Sequence, residues 1–192
     1  IKADGNVIFE IEKTAAGLAL YGRRNGDANI DGVGGTYYWR ITQFIFPWFT
    51  LIPPFGDHSL GGHVWVPADD ENCWAWSINY RPDKPLSEHE LGEMKAGYGI
   101  HVKYETPAAG QPMTWRPYKN KDNDYMVDRQ AQKDKRSFSG IFGFSEQDAS
   151  LQESMGAIQD RTEERLLSTD KGIVMARRML QDAAEGLAKG IE

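Results

Sequence analysis

An α+β fold, an antiparallel sheet curled round one long C-terminal helix, is the architecture this sequence predicts. Three observations carry it. Apolar and polar residues alternate with a period of two in several segments between residues 6 and 80, the spacing of a strand with one buried face. Apolar residues recur at helical spacing near the C-terminus, at Ile173, Ala176, Leu180, Ala183 and Leu187. The strands come first and the helices after, so the two do not interleave as they do in a parallel α/β chain.

Each element has its own signal. Residues 6–13 place Val7, Phe9 and Ile11 on one face, and residues 18–23 repeat the alternation after Gly17, so the two pair as a hairpin. Residues 27–35 are rich in Gly, Asp and Asn and predict a loop. Residues 37–52 are aromatic and β-branched, which favours strand, while the prolines within and after them predict a bend or an edge. Residues 63–67 and 73–80 flank the turn Ala68-Asp69-Asp70-Glu71-Asn72 and form the clearest hairpin, with Trp74, Trp76 and Ile78 on one face. Together with Trp65, Trp74 and Trp76 fit a sheet core better than a cofactor contact. Ser87 opens a short helix that ends near Gly97. Residues 97–136 show little periodicity and read as a long loop region, which in a compact domain is often functional. Residues 146–155 predict one helix, and Ser168-Thr169-Asp170 caps another running to about Gly190, whose apolar stripe faces the core. A sheet curled on a helix leaves a cavity suited to a small apolar ligand.

Composition narrows the function classes. The chain of 192 residues carries a net charge of −6, against the basic surface that nonspecific nucleic-acid binding requires. No apolar run reaches the ~18 residues of a membrane-spanning helix; the longest, residues 44–55, is broken by Pro47, Pro53 and Pro54. The single cysteine, Cys73, excludes a disulfide within the chain and any zinc or iron–sulfur site built from this chain's cysteines alone. It points to a reducing, cytoplasmic setting.

The most informative stretch is residues 137–161, SFSGIFGFSEQDASLQESMGAIQDR. An aromatic, glycine-broken run leads into a helix start at Ser145, where the serine can cap the backbone and Asp148 follows three positions on. An acid where an apolar wall meets a helix N-terminus suits a metal ligand, a catalytic acid or an ordinary cap.

Three blocks together resemble the C-terminal catalytic domain of Rieske non-haem iron aromatic-ring-hydroxylating oxygenases, α subunit, of the phthalate 4,5-dioxygenase type. They are HVWVPADDENCWAWSINYRPDKPLSEHE (63–90), DYMVDRQAQKDKRSFSGIFGFSEQDASLQESMGAIQDRTEERL (124–166) and STDKGIVMARRML (168–180). The ordered pattern Gln147-Asp148, Gln152-Glu153-Ser154-Met155-Gly156, Ile158-x-Asp160-Arg161 is the most specific part. The resemblance implies a helix-grip, START-like fold and a single catalytic domain over residues 1–192. It implies a small aromatic substrate oxidised with O2 at a mononuclear Fe(II) held by two histidines and a carboxylate. Electrons would come from a reductase or ferredoxin through a Rieske [2Fe-2S] cluster, within a homotrimer. It places the carboxylate at Asp148, and it puts Phe138 and Phe144, ten and four residues earlier, in the substrate pocket.

The departures are as definite. One cysteine cannot supply the CxH and CxxH pairs of a Rieske domain. The family's histidine pair, in a segment like D-x-x-H-x4-H, belongs upstream of Ile1. The chain thus reads as part of an oxygenase with one of three iron ligands and no cluster, inactive by itself. His58 and His63, with Asp57 just before, mimic the pair's spacing but enter a strand that matches the family beyond its true ligands. The basic Lys133-x-Lys135-Arg136 cluster fits a solvated loop. The competing expectation is a stand-alone helix-grip module that holds a small hydrophobic ligand without redox chemistry.

Overall fold

The computed structural model describes residues 4–26, 36–54 and 56–191. The loop expected at residues 27–35 lies outside the described residues. The chain divides into two compact units: one from Ile1–Val66, Trp74–Asn79 and Arg161–Glu192, the other from Pro67–Cys73 and Tyr80–Asp160.

The first unit is built on a six-stranded sheet: β1 (Ile8–Thr14), β2 (Gly17–Asn25), β3 (Tyr37–Ile45), β4 (Phe49–Ile52), β5 (Leu60–Pro67) and β6 (Cys73–Tyr80), in sequential order across the sheet. β1 and β2 form the expected hairpin, with Ile11 opposite Leu20, and β2 runs antiparallel to β3 along its whole length. The aromatic run at residues 37–52 divides into two antiparallel strands because Pro47 sits in the turn between them, after a cis Phe46–Pro47 bond. The Phe46 amide there donates to the Ala16 carbonyl at 2.8 Å. Across β4 and β5 the Trp65 indole donates to Thr50 Oγ1 at 2.9 Å. The core lies along β2 and β5, at Leu18, Ala19 and Val64.

The long helix α4 (Lys171–Ala188) belongs to this unit and meets the sheet near its N-terminus. Gly172 is buried there, and a Cβ added to it would collide with the Leu20 side chain and touch Ile11. A glycine is what permits so close an approach of helix to sheet. This contact sets which face of α4 turns inward: Gly172, Met175, Ala176 and Met179 are buried or half-buried. Of the stripe expected to face the core, Ala176 does so, while Ile173, Leu180 and Leu187 remain 49%, 41% and 70% exposed. The apolar sector of the helix is wider than the strip that one glycine-centred contact can cover. The expected Ser168–Asp170 cap is a turn of 3-10 helix, in which the Asp170 carboxylate accepts from the Leu167 amide at 2.8 Å. Arg177 grips Glu164 with both nitrogens, at 2.6 and 2.7 Å, and this pairing holds the Glu164 carboxyl below its ordinary range.

The face of β6 that bears Trp74, Trp76 and Ile78 is exposed, as is the alternating set Tyr37, Trp39 and Ile41 on β3. The period of two is as expected, but the apolar face on these strands is not core. The architecture is the α+β, helix-grip arrangement that the sequence predicts: an antiparallel sheet with a long C-terminal helix against it.

The second unit contains α1 (Glu88–Ala96), α2 (Arg129–Lys133) and α3 (Phe144–Ser154). Ser87 caps α1: its hydroxyl accepts from the Glu90 amide at 3.2 Å, and the Glu90 carboxylate accepts from the Ser87 amide at 2.8 Å. The Ser87 donors, with Arg81 on the other carboxylate oxygen at 2.9 Å, hold Glu90 down to about 2. The region 97–136 has no strand pairing beyond the bridge between Tyr104 and Pro117 among the described residues. Isolated backbone bonds, such as the Tyr118 amide to the Lys103 carbonyl at 2.7 Å, and side-chain caps order it together. Asn120 caps a 3-10 segment, Lys121–Met126, by accepting from the Asp122 amide at 3.0 Å, and Asp128 caps α2 by accepting from the Ala131 amide at 2.8 Å. Among the described residues no helix is long and apolar enough to cross a membrane.

Candidate functional site

Asp148 lies on α3, which begins two residues earlier than the sequence predicts. Gly143, at φ +113°, occupies the N-cap, and the chain turns into the helix at Phe144. The Glu146 carboxylate folds back over Gly143, so that a Cβ at that position would collide with it. Ser145 is therefore not the cap. It is the second residue of the helix, and its hydroxyl donates instead to the Gly99 carbonyl at 3.3 Å. Glu146 takes the first-turn acidic position, is 5% exposed, and has one carboxylate oxygen without a hydrogen bond.

This shift changes what Asp148 can be doing. As the fifth residue of α3 it stands beyond the first turn, where a carboxylate would cap or oppose the helix dipole. Asp148 is exposed, and its carboxylate has no hydrogen-bond or ion-pair partner among the described residues. It is free to ligate.

Phe138 and Phe144 are on the same unit and both face solvent, with Phe138 fully exposed and Phe144 60% exposed. The loop between them is well tied. The Gly140 carbonyl accepts from the Asp128 amide at 2.8 Å, Lys119 donates to the Phe142 carbonyl, and the Phe142 ring packs edge-on against Tyr98 with centroids 6.0 Å apart.

The two histidines that mimic a ligand pair lie in the sheet unit. His58 is exposed in the turn before β5, and His63 on β5 sits with Nδ1 3.3 Å from the Ser77 hydroxyl and its ring against Trp65. Among the described residues no three His, Cys, Asp or Glu side chains come together as a metal site. The fit to the expected groups is accordingly divided. An unpartnered, exposed carboxylate on a helix suits one position of a mononuclear iron site, whereas a lone exposed Cys73 does not suit a [2Fe-2S] cluster.

Two features of this unit escape the periodicity of the sequence. His101, half-buried, has its ring pKa pushed below the ordinary histidine value by burial. Tyr125, 7% exposed, donates its hydroxyl to the Glu153 carboxylate on α3. The only sequence signal for the second is the run Lys119-Asn120-Lys121-Asp122-Asn123-Asp124, whose Asn and Asp side chains favour local turns.

Comparison with known proteins gives the family. A family model described as LigXa C-terminal domain like matches residues 2–192. The oxygenase subunit of 3-chlorobenzoate-3,4-dioxygenase from Comamonas testosteroni is 35% identical over 154 residues, 76% of this chain and 35% of that protein. The oxygenase subunit of phthalate 4,5-dioxygenase from Pseudomonas putida is 28% identical over 182 residues, 95% of this chain and 39% of that protein. The chain thus spans between a third and two fifths of the length of these curated relatives. With nearly its whole length matched, and with aromatic-dioxygenase oxygenase subunits as relatives, the chain belongs to the LigXa C-terminal domain-like family.

Proposed function

We propose that this chain is the catalytic-domain part of a Rieske-type aromatic-ring oxygenase, with Asp148 as the carboxylate ligand of a mononuclear Fe(II). The observation that carries the reading is the state of Asp148. It occupies the carboxylate position of the family pattern, a neighbouring acid holds the first-turn position it would otherwise take, and it has no partner among the described residues. An Fe(II) held by two histidines and a carboxylate would supply O2 activation at this site. Asp148 contributes the anionic oxygen. Phe138 and Phe144 contribute apolar surface to the pocket for a small aromatic substrate. The remaining two ligands and the [2Fe-2S] cluster are supplied by polypeptide outside these residues. A reductase or ferredoxin is the electron donor, the working assembly is a homotrimer, and the setting is cytoplasmic.

The test is Asp148→Ala in the complete oxygenase subunit. Bound iron and substrate turnover should collapse together. Retention of iron and of most turnover would overturn the assignment. The chain by itself, offering one ligand of three, should bind no stoichiometric Fe(II) after anaerobic reconstitution and show no substrate-dependent O2 uptake with a reductase. Stoichiometric iron with O2 uptake would instead bring His58 and His63 back as ligands.

A further inference from the structure

We propose that Tyr125 is a positioning residue for Asp148, acting through the hydrogen bond from its hydroxyl to the Glu153 carboxylate on α3. The inference rests on the reading of Asp148 as an iron ligand, and its geometry stands independently of that reading.

Tyr125 is buried in the middle of three consecutive left-handed residues, Asp124 (φ +49°), Tyr125 (φ +52°) and Met126 (φ +51°). Residues with a Cβ avoid this region, and a run of them persists only where the surroundings over-determine it. The surroundings here do so. The Asn120 carbonyl accepts from the Tyr125 amide at 2.9 Å, and the Asn120 amide donates to Asn123 Oδ1 at 3.0 Å. Asn123 donates in turn to the Tyr118 carbonyl at 2.7 Å, and Arg129 lies 3.4 Å from the Asp124 carboxylate. The product of this arrangement is a phenol aimed at Glu153 on α3. Burial and the adjacent carboxylate raise the hydroxyl pKa, so that it remains a donor throughout the physiological range.

Glu153 is the tenth residue of the eleven in α3 and follows Asp148 by five. At about 1.5 Å rise per residue, the two lie roughly 7.5 Å apart along the axis. Ser145, bonded to the Gly99 carbonyl, ties the other end of the helix. Asp148 stands between these two tethers with its own carboxylate free. A hydrogen-bonded helix is stiff, so fixing it at both ends sets the depth and the rotation at which Asp148 is presented. The strained turn is then the anchor for a ligand it does not touch. Groups hydrogen-bonded directly to metal ligands change metal affinity about 10–100-fold when lost, and that is the scale proposed for this tether acting through the helix.

The experiment is anaerobic Fe(II) titration of the iron-free complete oxygenase subunit, in the wild type and in Tyr125→Phe, Glu153→Ala, the double variant, Glu153→Gln and Asp148→Ala. Melting temperature and the Co(II) ligand-field spectrum are recorded for each. Tyr125→Phe and Glu153→Ala should each weaken Fe(II) binding about 10–100-fold, with altered Co(II) bands and only a small change in melting temperature. The double variant should be no worse than either single one, because both remove the same bond. Glu153→Gln, whose amide oxygen still accepts from the phenol, should bind iron nearly as the wild type does. Wild-type iron affinity in Tyr125→Phe and Glu153→Ala, while Asp148→Ala loses iron, overturns the positioning role and leaves the ligand assignment intact. Iron retained in Asp148→Ala overturns both. Should Tyr125→Phe fail to fold, Glu153→Ala alone decides, since it keeps the buried ring.

Discussion

Leu18 and Tyr125 are both buried, and they are held by different kinds of interaction. Around Leu18 the sheet unit is tied by continuous backbone ladders, β1 to β2 and β2 to β3, with α4 seated on Leu20 through Gly172. Around Tyr125 the second unit has one β-bridge among the described residues, short helices and scattered backbone bonds, and Asn120, Asn123, Asp128, Ser87 and Glu90 add side-chain bonds to backbone. A ladder repeats with the chain and tolerates the loss of one side chain. A net of side-chain bonds is specific at every node and is sensitive to protonation. The candidate ligand is on the second kind of unit, where individual side chains fix where a helix sits.

This contrast can be broken at several points. The largest effect expected is on iron. Asp148→Ala should abolish iron binding and turnover in the complete subunit and yet cost no more than ~0.5 kcal/mol of stability, the usual range for an exposed, unpartnered side chain. Thermal unfolding followed alongside metal analysis checks both halves. If stability fell by several kcal/mol, Asp148 would be structural and the distinction between the units would blur.

Next in size is the sheet unit's own weak point. Gly172→Leu forces a side chain into the space of Leu20 and Ile11, and overpacking of this kind costs ~1–3 kcal/mol. Chemical denaturation should report that loss, and hydrogen exchange should place it in β1, β2 and α4. A neutral outcome would mean that α4 is less closely seated than Gly172 indicates.

Acid should loosen the second unit in two windows, through His101 and then Glu90, both of which belong to it. His101 has a folded pKa below the ordinary 6.5 because burial disfavours its charged form. The unfolded state therefore binds more protons, and the stability contributed by neutral His101 is complete above pH 6.5 and is lost as pH falls through its folded value. Glu90, lowered from 4.5 to about 2, contributes stability above pH 4.5 that is lost as pH falls toward 2. Below pH 6.5, then, amide exchange should first accelerate around residues 98–104 while β1–β3 stay protected. His101→Gln should remove this early phase and Glu90→Gln the acid one. Loss of sheet protection before loop protection would reverse the comparison.

The smallest effect should be at Arg116, which pairs with Asp122 and lies 3.8 Å from Glu105 at the surface. Exposed pairs of this kind contribute little and are screened by salt. Arg116→Ala should leave the melting temperature unchanged at physiological ionic strength. A large drop would show that this surface cluster, rather than the buried capping bonds, supports the long loop.

What the sequence determined by itself follows from periodicity and from pattern. Alternation of apolar residues located the β1–β2 hairpin, the strands after it and the turn at residues 68–72, because a strand's two faces are written at every second residue. The ordered pattern around Gln147-Asp148 located the family, which the comparisons bear out. Three matters were decided only in the tertiary structure. The helix that carries Asp148 starts at Phe144 rather than after Ser145, because Gly143 takes a positive φ and Glu146 fills the space over it. Part of α4's apolar sector stays exposed, because one close contact at Gly172 fixes which face turns inward. Tyr125 meets Glu153 across 28 residues, through a left-handed turn that no period announces. The first turns on a positive φ that the sequence around Gly143 permits but does not announce; the other two bring together groups far apart in the chain, and local propensity holds no record of such a meeting.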